Sequence, residues 1–345
     1  MLLSEYRQLE LRDLPQPEPG PGELLIQVAA CGICGSDVHG YDGTSGRRIP
    51  PIVMGHEAAG IVAATGAGVT AFEPGDRVTF DSTVYCGECP YCLRGEVNLC
   101  DRRQVIGVSC GEYRRYGAFA EYVTVPARIA YNLPVNMSFA EAAMLEPVSV
   151  ALHAIKVSQL SGGETALVLG AGMIGLLTLQ AARAAGCSRV FIADIDPTRL
   201  RLAESMGATD ILQLSGSDLS AEILRRTGSG VDVALEAVGR QETIDAAIQS
   251  VRKGGTVTLI GNTTPQVTIP LQVVVSRQLR LQGTAASAGE YPEAISLIAS
   301  GAVHVKPLIT AVAPLEEGPR WFDRLYAHEP NLMKIILSPN PERAA

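Results

Sequence analysis

The chain has 345 residues, 19% of them charged and 47% hydrophobic, with a formal net charge of −8. That length allows two domains with sizeable cores, and the acidic balance argues against nucleic-acid binding and against a basic membrane-docking face. Charged residues from Glu5 to Asp13 break any apolar leader, and the longest apolar stretch, Ala166 to Leu177, carries three glycines and is too short to cross a bilayer, so a cytoplasmic protein is expected.

Residues 1–150 read as β-rich. Glu23 to Ala30, Ala58 to Ala64, Arg77 to Asp81 and Ala118 to Val125 are short runs of β-formers, separated by turns such as Pro74-Gly75-Asp76. Near Ser138 the pattern changes, because Ser138-Phe139-Ala140-Glu141 has the spacing of a capping box. From Thr165 onward strands and helices alternate. Thr165 to Leu169, Arg189 to Ala193, Val231 to Glu236, Thr256 to Ile260 and Leu279 to Gln282 are strands, and Met173 to Ala185 and Pro197 to Met206 are helices. Such alternation predicts a parallel, doubly wound sheet. A helix over Pro292 to Ala299 and a strand over Lys334 to Leu337 follow, and this tail is expected to rejoin the first domain.

Three motifs carry chemistry. Gly170-Ala171-Gly172-Met173-Ile174-Gly175 follows an apolar strand and opens a helix, the context in which such a turn cradles a pyrophosphate. The next strand ends at Asp194, where a carboxylate accepts hydrogen bonds from an adenosine ribose and repels a 2′-phosphate; NAD is therefore favoured over NADP. Cys86, Cys89, Cys92 and Cys100 lie within fifteen residues and can wrap one tetrahedral zinc, a closed structural site. Cys34 with His56 and Glu57 offers a thiolate, an imidazole and a carboxylate, the donor set of an open, catalytic zinc. Both His56 and Glu57 reach one metal only if the local turn brings them together. Glu146 opens a helix, and its residue type alone favours a charge partner for that helix start. Cys31, Cys110 and Cys187 show no partner pattern, and His153, His304 and His328 have no metal-like neighbours.

In their order along the chain, Cys34-Gly35-Ser36-Asp37-Val38-His39, Gly55-His56-Glu57, Gly75-Asp76-Arg77-Val78, the four cysteines and the glycine turn resemble the zinc-dependent medium-chain dehydrogenase/reductase family. The resemblance implies an α/β protein. A GroES-like catalytic domain would cover 1–150 with a zinc lobe at 86–100, a doubly wound Rossmann NAD-binding domain 151–285, and a return to the catalytic domain 286–345. It also implies two zinc ions per chain, the catalytic one bound by Cys34 and His56, with Glu57 either a ligand or just behind it. Glu146 takes the third-ligand position in place of the cysteine of alcohol dehydrogenases, which is similar to the sorbitol, threonine and sugar-alcohol-phosphate branch. Arg199 falls near the adenosine ribose, and Ile260, Asn262 and Thr284 along the nicotinamide pocket.

The activity implied is oxidation of a secondary alcohol to a ketone by NAD, with Ser36 taking the alcohol proton and His39 passing it to solvent. The substrate expected is a small polyhydroxylated molecule: a polyol, a sugar or a cyclitol. Alternatives are a threonine-type or sugar-alcohol-phosphate dehydrogenase, and an inactive quinone-reductase-like binding protein. The run Val108 to Tyr116, with Arg114 and Arg115, is either a solvated basic loop or a wall of the substrate pocket, and Arg47-Arg48 poses the same question. A homodimer or homotetramer is implied, meeting around Leu271 to Leu281.

Overall fold

The computed structural model describes residues 1–110 and 113–344. Gly111 and Glu112 of the Val108–Tyr116 run lie outside the described residues. The chain divides into two compact units: Met1–Glu146 with Tyr291–Ala299 and Val305–Ala345, and Pro147–Glu290 with Ser300–His304.

The first unit is built on a seven-stranded sheet. Its order is Ala130–Asn132, Arg77–Phe80, Glu57–Thr65, Glu23–Gly32, Lys334–Ser338 and Ile309–Pro314, with Tyr122–Pro126 pairing to Glu23–Gly32 off this path. Glu23–Gly32 is central because it can be buried on both faces: Leu24, Leu25, Ile26, Val28, Ala29, Ala30 and Cys31 are all buried. Of these, Leu24, Ile26, Val28 and Cys31 pack with Val62, Val78, Phe80, Phe119, Ile335 and Leu337 into one core. Backbone N–H groups of Gly117, Ala118 and Phe119 bond to the carbonyls of Val53, Gly55 and Met54, so the strand expected from Ala118 begins only at Tyr122. The chain ladder there is replaced by pairing with the segment that carries His56. Lys334–Ser338 inserts beside Glu23–Gly32, with Ile336 opposite Gly32 and Leu337 opposite Cys31.

The second unit is a six-stranded parallel sheet in the order Asp210–Leu212, Arg189–Ala193, Thr165–Leu169, Val231–Glu236, Val251–Leu259 and Arg280–Gly283. The apolar runs of Arg189–Ala193, Thr165–Leu169 and Val231–Glu236 are buried, as a parallel sheet covered on both faces requires; Leu167, Leu169, Phe191, Val231, Ala234 and Val257 anchor the core. The segment from Leu271 to Leu281 is not one strand. It forms the helix Leu271–Ser276 and then the edge strand Arg280–Gly283.

Candidate active site

Cys34 is the N-cap of the helix Gly35–Tyr41, and its Sγ accepts the Ser36 N–H at 3.5 Å. Asp37, three residues on, returns its Oδ2 to the Cys34 N–H at 3.3 Å. A thiol thus stands where a serine caps an ordinary helix. His56 lies just before the strand Glu57–Thr65, after Gly55 at φ 96°. Adjacent residues of a regular strand point to opposite faces; the left-handed step at Gly55 frees His56 from that alternation. Cys34, His56 and Glu57 consequently each present a ligand atom within 4.8 Å of the others.

The surroundings of these three groups are charged and buried. His56 Nδ1 lies 3.4 Å from Asp37 Oδ1 but off hydrogen-bonding alignment, and it has no hydrogen-bond partner among the described residues. Asp37 is fully buried and accepts Arg48 Nε at 3.1 Å and Nη2 at 2.8 Å on Oδ1. Burial works against its charge, yet His56 and Arg48 hold its carboxyl well below the usual range. Glu57 Oε2 meets Lys334 Nζ at 2.5 Å, and the same ammonium donates to Ile33 O at 3.1 Å. Glu146 falls outside the 4.8 Å set of ligand atoms. Burial, and then the Glu57 charge, push its carboxyl up to about 7. The pocket therefore carries a surplus of acidic groups. A divalent cation held by a thiolate, an imidazole and a carboxylate fits that surplus.

Two further residues of this pocket gave no sequence signal. Tyr291 is fully buried, stacks on Tyr131 at 5.0 Å and 9°, and its hydroxyl has no hydrogen-bond partner among the described residues. Burial and the carboxyls of Asp81 and Glu146 raise it well above its ordinary value, so it stays protonated. Lys334 was legible only as part of a strand. Ser36 and His39 are both exposed, and Ser36 Oγ accepts Arg48 Nη2 at 3.1 Å. Of the other basic residues in question, Arg115 pairs with Glu23 and Arg114 donates to the carbonyls of Pro50 and Pro51, while Arg47 is exposed.

The four-cysteine lobe is equally close-knit. The ligand atoms of Cys86, Cys89, Cys92 and Cys100 all lie within 4.8 Å of one another. Hydrogen bonds led by the Glu88 N–H lower Cys86 to about 6, whereas burial and its neighbour thiols push Cys92 up to about 12. Four thiols so close cannot all ionise without a cation among them, and a tetrahedral zinc fits.

In the second unit the three glycines of the turn serve three needs. Gly170 has φ 97°; a Cβ on Gly175 would meet Gly170 O at 1.7 Å; a Cβ on Gly172 would meet nothing within 4 Å. The first bends the chain, the third lets the helix Met173–Ala184 pack close, and the second leaves space beside the helix start for a phosphate. Met173 and Ile174 form the first turn and are half-buried. Asp194 Oδ2 accepts the Ala171 N–H at 2.6 Å and Oδ1 that of Asp196 at 2.9 Å, which fixes the carboxylate beside the turn. Arg199 is exposed, 3.7 Å from Asp196 Oδ2. Thr284 donates its N–H to Leu259 O, and its buried hydroxyl has no partner among the described residues. Ile260 is half-buried and Asn262 exposed. Glu236 folds its carboxylate back onto the N–H groups of Val238 and Gly239 and fixes the turn after the strand Val231–Glu236.

Comparison with known proteins gives this geometry its family. Residues 20–135 match the alcohol dehydrogenase GroES-like domain, and residues 174–300 match the zinc-binding dehydrogenase family. The chain is 36% identical over 345 residues to the sorbitol dehydrogenase of Bacillus subtilis (strain 168), covering 98% of this chain and 96% of that one. A protein described as a zinc-binding dehydrogenase from Sinorhizobium meliloti 1021, bound to NADP, superposes with a TM-score of 0.88 at 34% identity over 98% of both chains. An alcohol dehydrogenase from E. coli CFT073 complexed with NADH gives 0.90 at 28% identity over 98% of both. This oxidoreductase belongs to the zinc-dependent medium-chain dehydrogenase/reductase family, in its sorbitol-dehydrogenase-like branch.

Proposed function

We propose that the protein oxidises a secondary alcohol of a polyol, sugar or cyclitol to a ketone, with NAD as hydride acceptor and with one catalytic and one structural zinc per chain. The observation that carries this reading is the Cys34, His56 and Glu57 set within 4.8 Å, backed by a second, half-buried carboxyl at Glu146. When bound, a zinc ion there supplies a Lewis acid that lowers the pKa of an alcohol, and the dinucleotide supplies the hydride acceptor. The chain's own residues do the rest. Cys34, His56 and Glu57 hold the metal, with Glu146 in reserve as a further carboxylate; Cys86, Cys89, Cys92 and Cys100 hold the structural ion. Ser36 takes the proton of the alcohol, and exposed His39 hands it to solvent. Lys334 keeps the Glu57 charge compensated. Gly172 and the helix start receive the pyrophosphate, Asp194 and Arg199 the adenosine ribose, and Ile260, Asn262 and Thr284 the nicotinamide.

The similarity to a sorbitol dehydrogenase over nearly the whole chain supports a polyhydroxylated substrate. Arg48, Arg114 and Arg115 are engaged within the protein, which weighs against a phosphate-bearing one. Asp194 supports NAD, because its carboxylate, held beside the glycine turn by the Ala171 N–H, would repel a 2′-phosphate. Reduction of NAD⁺ across polyols, cyclitols, amino alcohols and sugar phosphates tests the substrate class; a preference for threonine or for a phosphate ester overturns it. For the cofactor, Asp194→Gly is expected to raise kcat/KM with NADP⁺ relative to NAD⁺. A wild-type enzyme that already prefers NADP⁺ would sink the NAD assignment. We also propose a homodimer or homotetramer that meets through the edge strand Arg280–Gly283 and the helix before it.

A further inference from the structure

Arg48 is only 3% exposed, and no step above uses it. Its guanidinium is shared between two neighbours on the cysteine-capped helix. Nε and Nη2 reach Asp37 Oδ1 at 3.1 and 2.8 Å, and Nη2 also reaches Ser36 Oγ at 3.1 Å. A weaker contact runs from Nη1 to Arg47 O at 3.4 Å. Asp37 Oδ1 in turn lies 3.4 Å from His56 Nδ1. One planar cation thus links the carboxylate behind the histidine to the hydroxyl beside the cysteine.

A second observation concerns how Arg48 gets there. Gly40 sits in the same helix, and its φ is not in the left-handed region, so the backbone does not call for glycine. Space does: a Cβ on Gly40 would meet Arg48 Cγ at 2.1 Å and Arg48 Cβ at 2.8 Å. The aliphatic stem of Arg48 therefore crosses the helix through a slot that only glycine leaves open.

We propose that Arg48 is a positioning residue for both halves of the site, seated by the Gly40 slot: it fixes Asp37 behind His56 and orients the Ser36 hydroxyl. The physical content is specific. Ser36 Oγ receives an N–H on one lone pair, which leaves its second lone pair to accept the alcohol proton and its own proton free to move on. Asp37 keeps its charge in a buried place because Arg48 meets it there. Lysine can supply the charge, but a single ammonium lacks the fork that spans two acceptors. The Ser36 half rests on the alcohol-oxidation reading; the Asp37 half does not.

The test compares Arg48→Met, Arg48→Lys, Gly40→Ala, Arg48→Ala and Gly40→Ala/Arg48→Ala in the zinc-loaded enzyme. Readouts are kcat and KM for sorbitol with NAD⁺, and zinc affinity by competition with a chromophoric chelator. Arg48→Met is expected to lose about ten- to hundredfold in both kcat and zinc affinity, the usual cost of removing a group behind a metal ligand. Arg48→Lys is expected to keep zinc affinity while kcat falls about tenfold or more with little change in KM. Gly40→Ala should lower kcat in the wild-type background and add nothing to Arg48→Ala. The proposal is overturned if Arg48→Met leaves zinc affinity unchanged, or if Gly40→Ala costs as much without Arg48 as with it. If Arg48→Met does not fold, Arg48→Lys and the Gly40 pair decide. If the wild type does not oxidise sorbitol, the substrate reading fails for that polyol, and the zinc affinities of the same variants still decide the role of Arg48.

Discussion

Lys334 and Glu57 are 4% and 1% exposed at their side chains, and they meet at 2.5 Å. Breaking such a pair leaves an uncompensated buried charge, which costs about 3–5 kcal/mol. Lys334→Met is therefore expected to lower the unfolding free energy read from urea denaturation by that order. Because a metal beside Glu57 supplies positive charge, the loss should be smaller in zinc-loaded than in chelator-stripped protein; an equal loss in both would place Glu57 away from the metal. Glu290 offers a pH test in the other unit. It meets His153 Nδ1 at 3.0 Å and Lys156 Nζ at 3.1 Å. Burial alone would raise its pKa, but His153, the Ala288 N–H and Lys156 lower it to about 2. A depressed carboxylate stabilises the fold above its unfolded pKa, and that stability is lost as pH falls from about 4.5 to about 2. Glu290→Gln should lose about 1–2 kcal/mol at neutral pH, allowing for solvent screening, and show a flatter acid limb in stability against pH.

The elements differ in how readily the sequence discloses them. Ser138 and Glu141 do form a reciprocal cap, and Thr165–Leu169, Arg189–Ala193 and Val231–Glu236 have the bounds their apolar runs predict. These features are local: a side chain three residues away, or a run bounded by turn residues. The strand expected from Ala118 is shortened because its first residues bond to Val53, Met54 and Gly55, a partner with no periodicity to read. The cysteine lobe was legible because its spacing is itself the constraint. It holds the helix Pro90–Leu93 and the turn Val97–Leu99, neither of which buries much apolar surface. Cys92→Ser is expected to drop the zinc content from two to one per chain and to speed proteolysis within 86–100, read by metal analysis and limited digestion. Retention of two ions would show that the lobe is held by something else.

At the scale of the whole molecule, what escaped the sequence is what long chain separations bring together. Cys34, His56 and Glu57 were legible because their motifs lie close in the chain. Lys334, 277 residues from Glu57, was not; nor was Tyr291, whose neighbours Tyr131 and Glu146 come from an earlier part of the same unit. Arg48 was visible as a cation but pointed toward a ligand, since only the fold shows that Asp37 takes it up. Assembly beyond the single chain is tested on the second unit. Leu271 and Val275 are 64% and 69% exposed beside the edge strand Arg280–Gly283. Val275→Asp is expected to halve the mass seen by light scattering while leaving each chain folded; an unchanged mass would move the contact to another surface.

Lys334–Ser338 follows the whole of the second unit in chain order, so the first unit is completed after the second has been made. The second unit's main segment, Pro147–Glu290, leaves the ribosome as a continuous piece and can fold at once. The first unit must wait. Until its last strand emerges, Glu57 lacks its ammonium partner and Glu23–Gly32 lacks a neighbour. A chain lacking that strand would hold Glu57 with its counter-charge missing. The acidic surplus around Cys34 and His56 is therefore greatest before Lys334 is in place, whereas the close approach of the four lobe cysteines involves residues 86–100 alone.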